Sequence, residues 1–146
     1  MVVCVRLSAN EILHLGLDAV GFDVGRQRSA TTNMLRFRAF FGASPKSCIE
    51  ILNDLQTTEN VDACMIKPNP IYFMMVMNWL KSYKTEAELA GLFNVIEKTS
   101  RMWVWKYIKA IQALQHQKVS VSARGHILVM RKTILTLSLF PSFIYC

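Results

Sequence analysis

Apolar residues recur at helical spacing along most of the chain, and the residues between the runs are those that start and stop helices. Ser8 with Glu11 three positions later has the form of a capping box. Gly16 is where that first helix should stop, and a connector containing Gly, Ser and Thr runs from Gly21 to Thr32. Residues 1–32 are therefore expected to form an arm or linker. From Asn33 the pattern strengthens: Met34, Leu35, Phe37, Phe40 and Phe41 surround Arg36 and Arg38, and Gly42 supplies the left-handed residue that ends a helix. Ser44 caps the next one. Pro45 takes its first position, where no N–H is needed, and Cys48, Ile49, Leu52 and Leu55 fall on one side, away from Lys46, Glu50 and Asp54. A polar loop from Gln56 to Lys67 leads to Asn69 and Pro70, the same start signal, and then to Ile71–Tyr83, apolar on nearly all sides. This segment is expected to be the central helix of a bundle, with Met74, Met75 and Met77 filling core space rather than lining a soft-metal site.

Thr85 and Glu88 form a second capping box and begin a short helix, Glu86 to Phe93, interrupted by Asn94, a residue that tolerates positive φ. From Lys98 to Leu114 a longer amphipathic helix follows. Trp103, Val104, Tyr107, Ile108, Ala110, Ile111 and Leu114 gather on one side, with Lys98, Arg101, Lys109 and Gln112 on the other, and Met102 and Trp105 on that basic side. A short helix, a tight turn and a longer helix with a basic face make the helix-turn-helix arrangement that lays a helix in the DNA major groove. Leu89, Phe93, Val95 and Trp103 stand at its apolar positions and Ala90 at its small one, with Asn94 where glycine is usual. Two positions depart. Ser100 occupies a slot normally filled by a branched apolar residue, and Ile96 stands where a Ser or Thr cap is expected, a loss of about 1 kcal/mol.

The fold class is thus all-α. Residues 33–118 should form a small helical bundle containing the helix-turn-helix, and residues 119–146 an irregular or short β-like tail, in which Leu135, Leu137 and Leu139 alternate with polar residues opposite His126–Met130. A chain of 146 residues has room for one core, since a domain of that size buries roughly 70% of the surface its unfolded chain exposes. The uncharged run Thr133–Cys146 is shorter than the roughly 20 residues of a bilayer helix, and the N-terminus lacks the order of a secretory signal. Cys4, Cys48, Cys64 and Cys146 have no metal-ligand spacing and read as ordinary thiols of a reducing compartment, nuclear or cytoplasmic.

Charge is unevenly placed. The formal +7 comes from 17 Lys plus Arg against 10 Asp plus Glu, and residues 1–67 are balanced. Residues 68–118 hold seven bases against three acids, and residues 119–146 hold three bases and no acid; Glu97 is the last carboxylate side chain. The excess therefore lies with the helix pair and the tail, where charge alone fits a merely solvated basic face better than a polyanion-binding one.

The wider stretch resembles a known family. Phe37-Arg38-Ala39-Phe40-Phe41-Gly42-Ala43-Ser44-Pro45, then Lys67-Pro68-Asn69-Pro70 leading to Trp79-Leu80-Lys81, then Thr85-Glu86, and Glu97-Lys98-Thr99 running into Trp103-Val104-Trp105-Lys106-Tyr107-Ile108, are similar in order and kind to the region preceding the nuclease domain of Harbinger-type DDE transposases. The resemblance spans Arg36 to Val119. It implies a helical region that recognises transposon DNA, followed in the family by an RNase-H-like domain whose three carboxylates hold two metal ions. After Val119 the chain departs from that plan, and the expectation is an element truncated before its nuclease domain.

Two-metal phosphoryl transfer needs anionic ligands, and none follows Glu97. Asp18, Asp23, Glu50, Asp54, Glu59 and Asp62 are scattered as caps and surface partners. His14, His116 and His126 have no phosphate loop, nucleophile elbow or ligand doublet beside them. The expectation is no enzyme activity, no cofactor and no metal. Lys98, Thr99, Arg101, Trp105, Lys106 and Lys109 are the expected contacts to double-stranded DNA, that of transposon ends. Arg101 is the best reader of guanine, Thr99 lies close to the backbone, Trp105 packs on the sugar-phosphate wall, and Lys106 and Lys81 serve at the rim. The competing reading is a protein-interaction or regulatory module that pairs with a full-length transposase or with itself. Peripheral membrane attachment through Arg131, Lys132 and the apolar tail ranks third.

Overall fold

The computed structural model of the chain describes residues 7–23, 29–57 and 69–118. Those residues form six helices and no strand: α1 (Ala9–Ala19), α2 (Ala30–Phe41), α3 (Pro45–Thr57), α4 (Pro70–Ser82), α5 (Glu86–Phe93) and α6 (Glu97–Lys118). The expected tail, 119–146, with its hairpin, lies outside them.

The helices start where side chains replace missing backbone partners. Ser8 and Glu11 form the reciprocal box, with Ser8 N–H donating to Glu11 Oε2 at 2.6 Å and Glu11 N–H donating to Ser8 Oγ at 3.2 Å. Asn69 Oδ1 accepts from Ile71 N–H at 2.9 Å, with Pro70 as the first helical residue of α4. The stops are left-handed residues: Gly42 at φ 72°, Tyr83 at φ 50° and Asn94 at φ 51°. Tyr83 is a costly choice there, because its Cβ crowds the backbone in that conformation.

Helix α4 is the centre. Phe73, Met74, Met75, Val76, Met77 and Asn78 are all buried, and α4 touches α1, α2, α5 and α6. A helix enclosed on every side has no room for a polar stripe, as its sequence indicates. Its buried amide is satisfied: Asn78 Nδ2 donates to the carbonyl of Phe40 at 2.9 Å, tying α4 to the end of α2. Tyr107 of α6 makes the matching tie at the other end, its hydroxyl donating to the Asn69 carbonyl at 2.9 Å. Burial pushes its phenol well above the ordinary range, so it remains a donor.

The N-terminal region differs from the arm expected of residues 1–32. Helix α1 runs through Gly16 to Ala19, and Ile12, Leu13 and Leu17 belong to the same core as Phe37, Phe41, Cys48 and Leu52. The reason is contact. A Cβ at position 16 would stand 2.6 Å from Cε2 of Phe37 and 3.0 Å from Cε2 of Phe41, so the glycine admits the aromatic pair of α2 rather than ending the helix. Helix α2 also begins earlier than Asn33, because Ser29 Oγ accepts from Thr32 N–H at 3.2 Å. Helix α3 continues past Gln56 to Thr57.

Candidate nucleic-acid interface

Helices α5 and α6 are two separate rods. Thr85 N–H donates to Glu88 Oε2 at 2.9 Å and Glu88 N–H to Thr85 Oγ1 at 3.3 Å, so both ends of the second capping box are made. Asn94 then takes left-handed angles, φ 51° and ψ 48°, and both its N–H and that of Val95 turn back to the Ala90 carbonyl. Three residues, Asn94, Val95 and Ile96, separate the two rods before α6 starts at Glu97. Ile96 brings no hydrogen-bonding side chain to that start and is 68% exposed.

Helices α5 and α6 pack on each other, with Leu89, Ala90 and Phe93 of α5 and the row Ser100, Val104, Tyr107, Ile108 and Ile111 of α6 all buried. Ala90, the small residue of the motif, is buried in α5. Ser100 is the irregular position. It is fully buried, and its hydroxyl has no hydrogen-bond partner.

Five of the six predicted contact residues divide into three groups. Lys98 and Lys109 are exposed on the outer face of α6 and, among the described residues, have no ion-pair partner. They are eleven residues apart in sequence, on one face of the helix and roughly 16 Å apart along its axis, a separation comparable to the roughly 12 Å width of the major groove. Arg101 is exposed on the same broad face but is engaged. Its Nε donates to Glu86 Oε1 and Oε2, both at 2.8 Å, and its Nη2 to Oε2 at 2.5 Å. The guanidinium holds the Glu86 carboxyl below its ordinary value of 4.5. Because Arg101 and Glu86 keep 58% and 40% of their side-chain surface in solvent, water screens the pair and it adds little to stability.

Trp105 and Lys106 form the third group, and both are only half exposed. Trp105 was expected to stand out from the basic side; instead it packs against the edge of the core. Its indole is long enough to reach apolar surface from a position at the margin of the polar face. Lys106 Nζ lies 5.0 Å from the centroid of the Trp103 ring, and that ring is stacked on Tyr72 of α4, 4.7 Å centroid to centroid and 18° from parallel. Thr99 is half-buried at the first turn. Lys81 belongs to another corner: its aliphatic stem lies over Gly42 at the end of α2, where a Cβ would be 3.2 Å from Lys81 Cδ.

Sequence reasoning missed Glu86. It stands 15 residues from Arg101 on a different helix, a pairing that no helical spacing rule predicts. Its only trace in the chain is that an acid in the first turn of α5 faces a turn short enough to bring α6 alongside.

Among the described residues no group of three or more His, Cys, Asp or Glu is placed to hold a metal ion, and no helix is long and apolar enough to cross a membrane. Compared with known proteins, the chain matches no protein-family model, no curated protein and no solved structure.

Proposed function

We propose that the chain is a DNA-binding helical module, derived from a Harbinger-type transposase and without catalytic activity of its own, that lays the outer face of α6 along the major groove of duplex DNA. The observation that carries this reading is the open cationic face: α6 is broken from α5 at Asn94, and Lys98 and Lys109 project from it with no acid, among the described residues, paired to either. Helix α5 packs against it as the bracing helix, and the ring contacts of Trp103, Tyr107 and Tyr72 fix the rod in place. Lys98 and Lys109 contact phosphates on the two sides of the groove, Lys106 contacts a third from the rim, and Arg101 reaches a base edge.

Salt dependence tests it. With three phosphates neutralised, log affinity for duplex DNA falls with log salt at a slope of roughly −3, and replacing Lys98 and Lys109 together by Ala removes about two units of that slope. A slope near zero, or a double variant that binds as the parent does, overturns the reading. The second reading, pairing with a full-length transposase, draws on the exposed apolar side chains Ile96 and Met102 beside the same helix. It predicts an association insensitive to salt and to the two lysines.

A further inference from the structure

We propose that Glu86 is a positioning residue for Arg101, presenting the free end of its guanidinium as a two-donor reader of a guanine edge. The inference rests on the DNA-binding reading above and deepens it by naming what one side chain recognises and what aims it.

The geometry is that of a side-on fork. Glu86 accepts from Nε and Nη2, the lateral edge of the guanidinium. A guanidinium has five N–H bonds in one plane, so the end formed by Nη1 and the outer hydrogen of Nη2 remains unused. Among the described residues nothing else accepts from Arg101, and the side chain is 58% exposed. That end edge carries two parallel donors, matching the N7 and O6 acceptors that guanine shows in the major groove.

The same carboxylate shapes binding in two opposite ways. By holding the long side chain in one plane, it removes rotamer freedom before DNA arrives, so a base contact through the end edge loses less entropy. By cancelling Arg101's charge, it weakens any phosphate contact the arginine would otherwise make on DNA of any sequence. A residue with both effects raises discrimination between sites, whereas a merely structural salt bridge moves affinity for all sequences together.

The test uses the full chain, a pool of duplexes with a randomised segment, and sequencing of the bound fraction. For the parent the expected result is an enriched motif with guanine at one position. Glu86→Gln, which keeps the size but loses the charge and the second acceptor oxygen, should lower preference for that guanine about tenfold, leave the other positions unchanged, and bind unselected duplex more tightly. Arg101→Lys, with no fork to share between Glu86 and a base, should lose the same guanine. An unchanged guanine preference in Glu86→Gln, an equal change on selected and unselected DNA, or a parent that binds duplex but selects no guanine overturns the positioning role while the DNA reading stands. A parent that binds no duplex overturns both.

Discussion

Replacing Ser100 by Ala should make the protein more stable by about 1–2 kcal/mol, although it removes a polar group from a helix bearing the candidate interface. The side chain is 0% exposed and its Oγ has no partner. An unsatisfied buried hydroxyl costs about 1–3 kcal/mol, and alanine in a helix interior is better than serine by about half a kcal/mol. Against these stand the dispersion contacts of one oxygen atom, which are worth a few tenths of a kcal/mol. A helical serine can relieve itself by donating to the carbonyl four residues back, but the carbonyl of Ile96 already accepts from the Ser100 N–H at 3.0 Å, and the hydroxyl does not share it. The assay is urea unfolding followed by far-UV circular dichroism. With a slope of about 2 kcal/mol per molar, the midpoint should rise by roughly 0.5–1 M at unchanged slope. A midpoint that stays or falls would refute the reasoning, because it would mean the hydroxyl is satisfied in solution and the α5–α6 junction is wetter than its burial indicates. Ser100 points away from the outer face of α6, so affinity for duplex DNA should not change.

Other substitutions probe the packing and the charges separately. Gly16→Ala should destabilise by about 1–3 kcal/mol, since the new methyl would meet the buried Phe37 ring at 2.6 Å; a neutral result in the same urea assay would show that α1 can shift on α2. Gly91→Ala, on the exposed side of α5 with nothing within 4 Å of the added carbon, should stabilise by about 1 kcal/mol through helix propensity alone. Stability should fall in acid. The carboxyls of Glu11, Glu86 and Glu88 are held below 4.5, Glu86 by Arg101 and the other two by their capping hydrogen bonds, so what they add is complete above 4.5 and is lost as the pH drops through the depressed folded values. In a titration of the unfolding midpoint, Arg101→Ala should be less stable than the parent by a constant small amount from neutral pH to about 4.5, and the gap should close below it; a gap that persists at low pH would assign the loss to packing instead. Cys48, whose thiol burial pushes up to about 12, should resist alkylation in the folded protein at neutral pH and react only on unfolding.

Much of the architecture is legible in local chemistry. Both capping boxes, the Asn69-Pro70 start, the Gly42 stop and the break at Asn94 are interactions between residues no more than four or five positions apart, so the amino-acid order encodes them directly. The enclosure of α4 follows from its composition, because a helix without a polar face has to be covered on all sides. What local reading could not supply was which surfaces meet. Gly16 has the form of a helix stop until the rings of Phe37 and Phe41 are seen lying on it. Trp105 belongs by helical angle to the basic side, and only the neighbouring core edge explains why it turns in.

The candidate interface shows the same division. The amino-acid order by itself determined an all-helical fold, a two-rod unit after Thr85 and a long helix with cations at Lys98, Arg101 and Lys109 along one face, because each depends on a 100° step and on caps within a single turn. Tertiary structure alone decided that those cations differ: Lys98 and Lys109 are left to solvent, Lys106 rides on an indole held by α4, and Arg101 is gripped by a carboxylate from another helix. Charge pairing across a turn depends on the angle at which two helices cross. That angle is set by the shapes of the side chains packed in the shared core, a property that no periodicity carries.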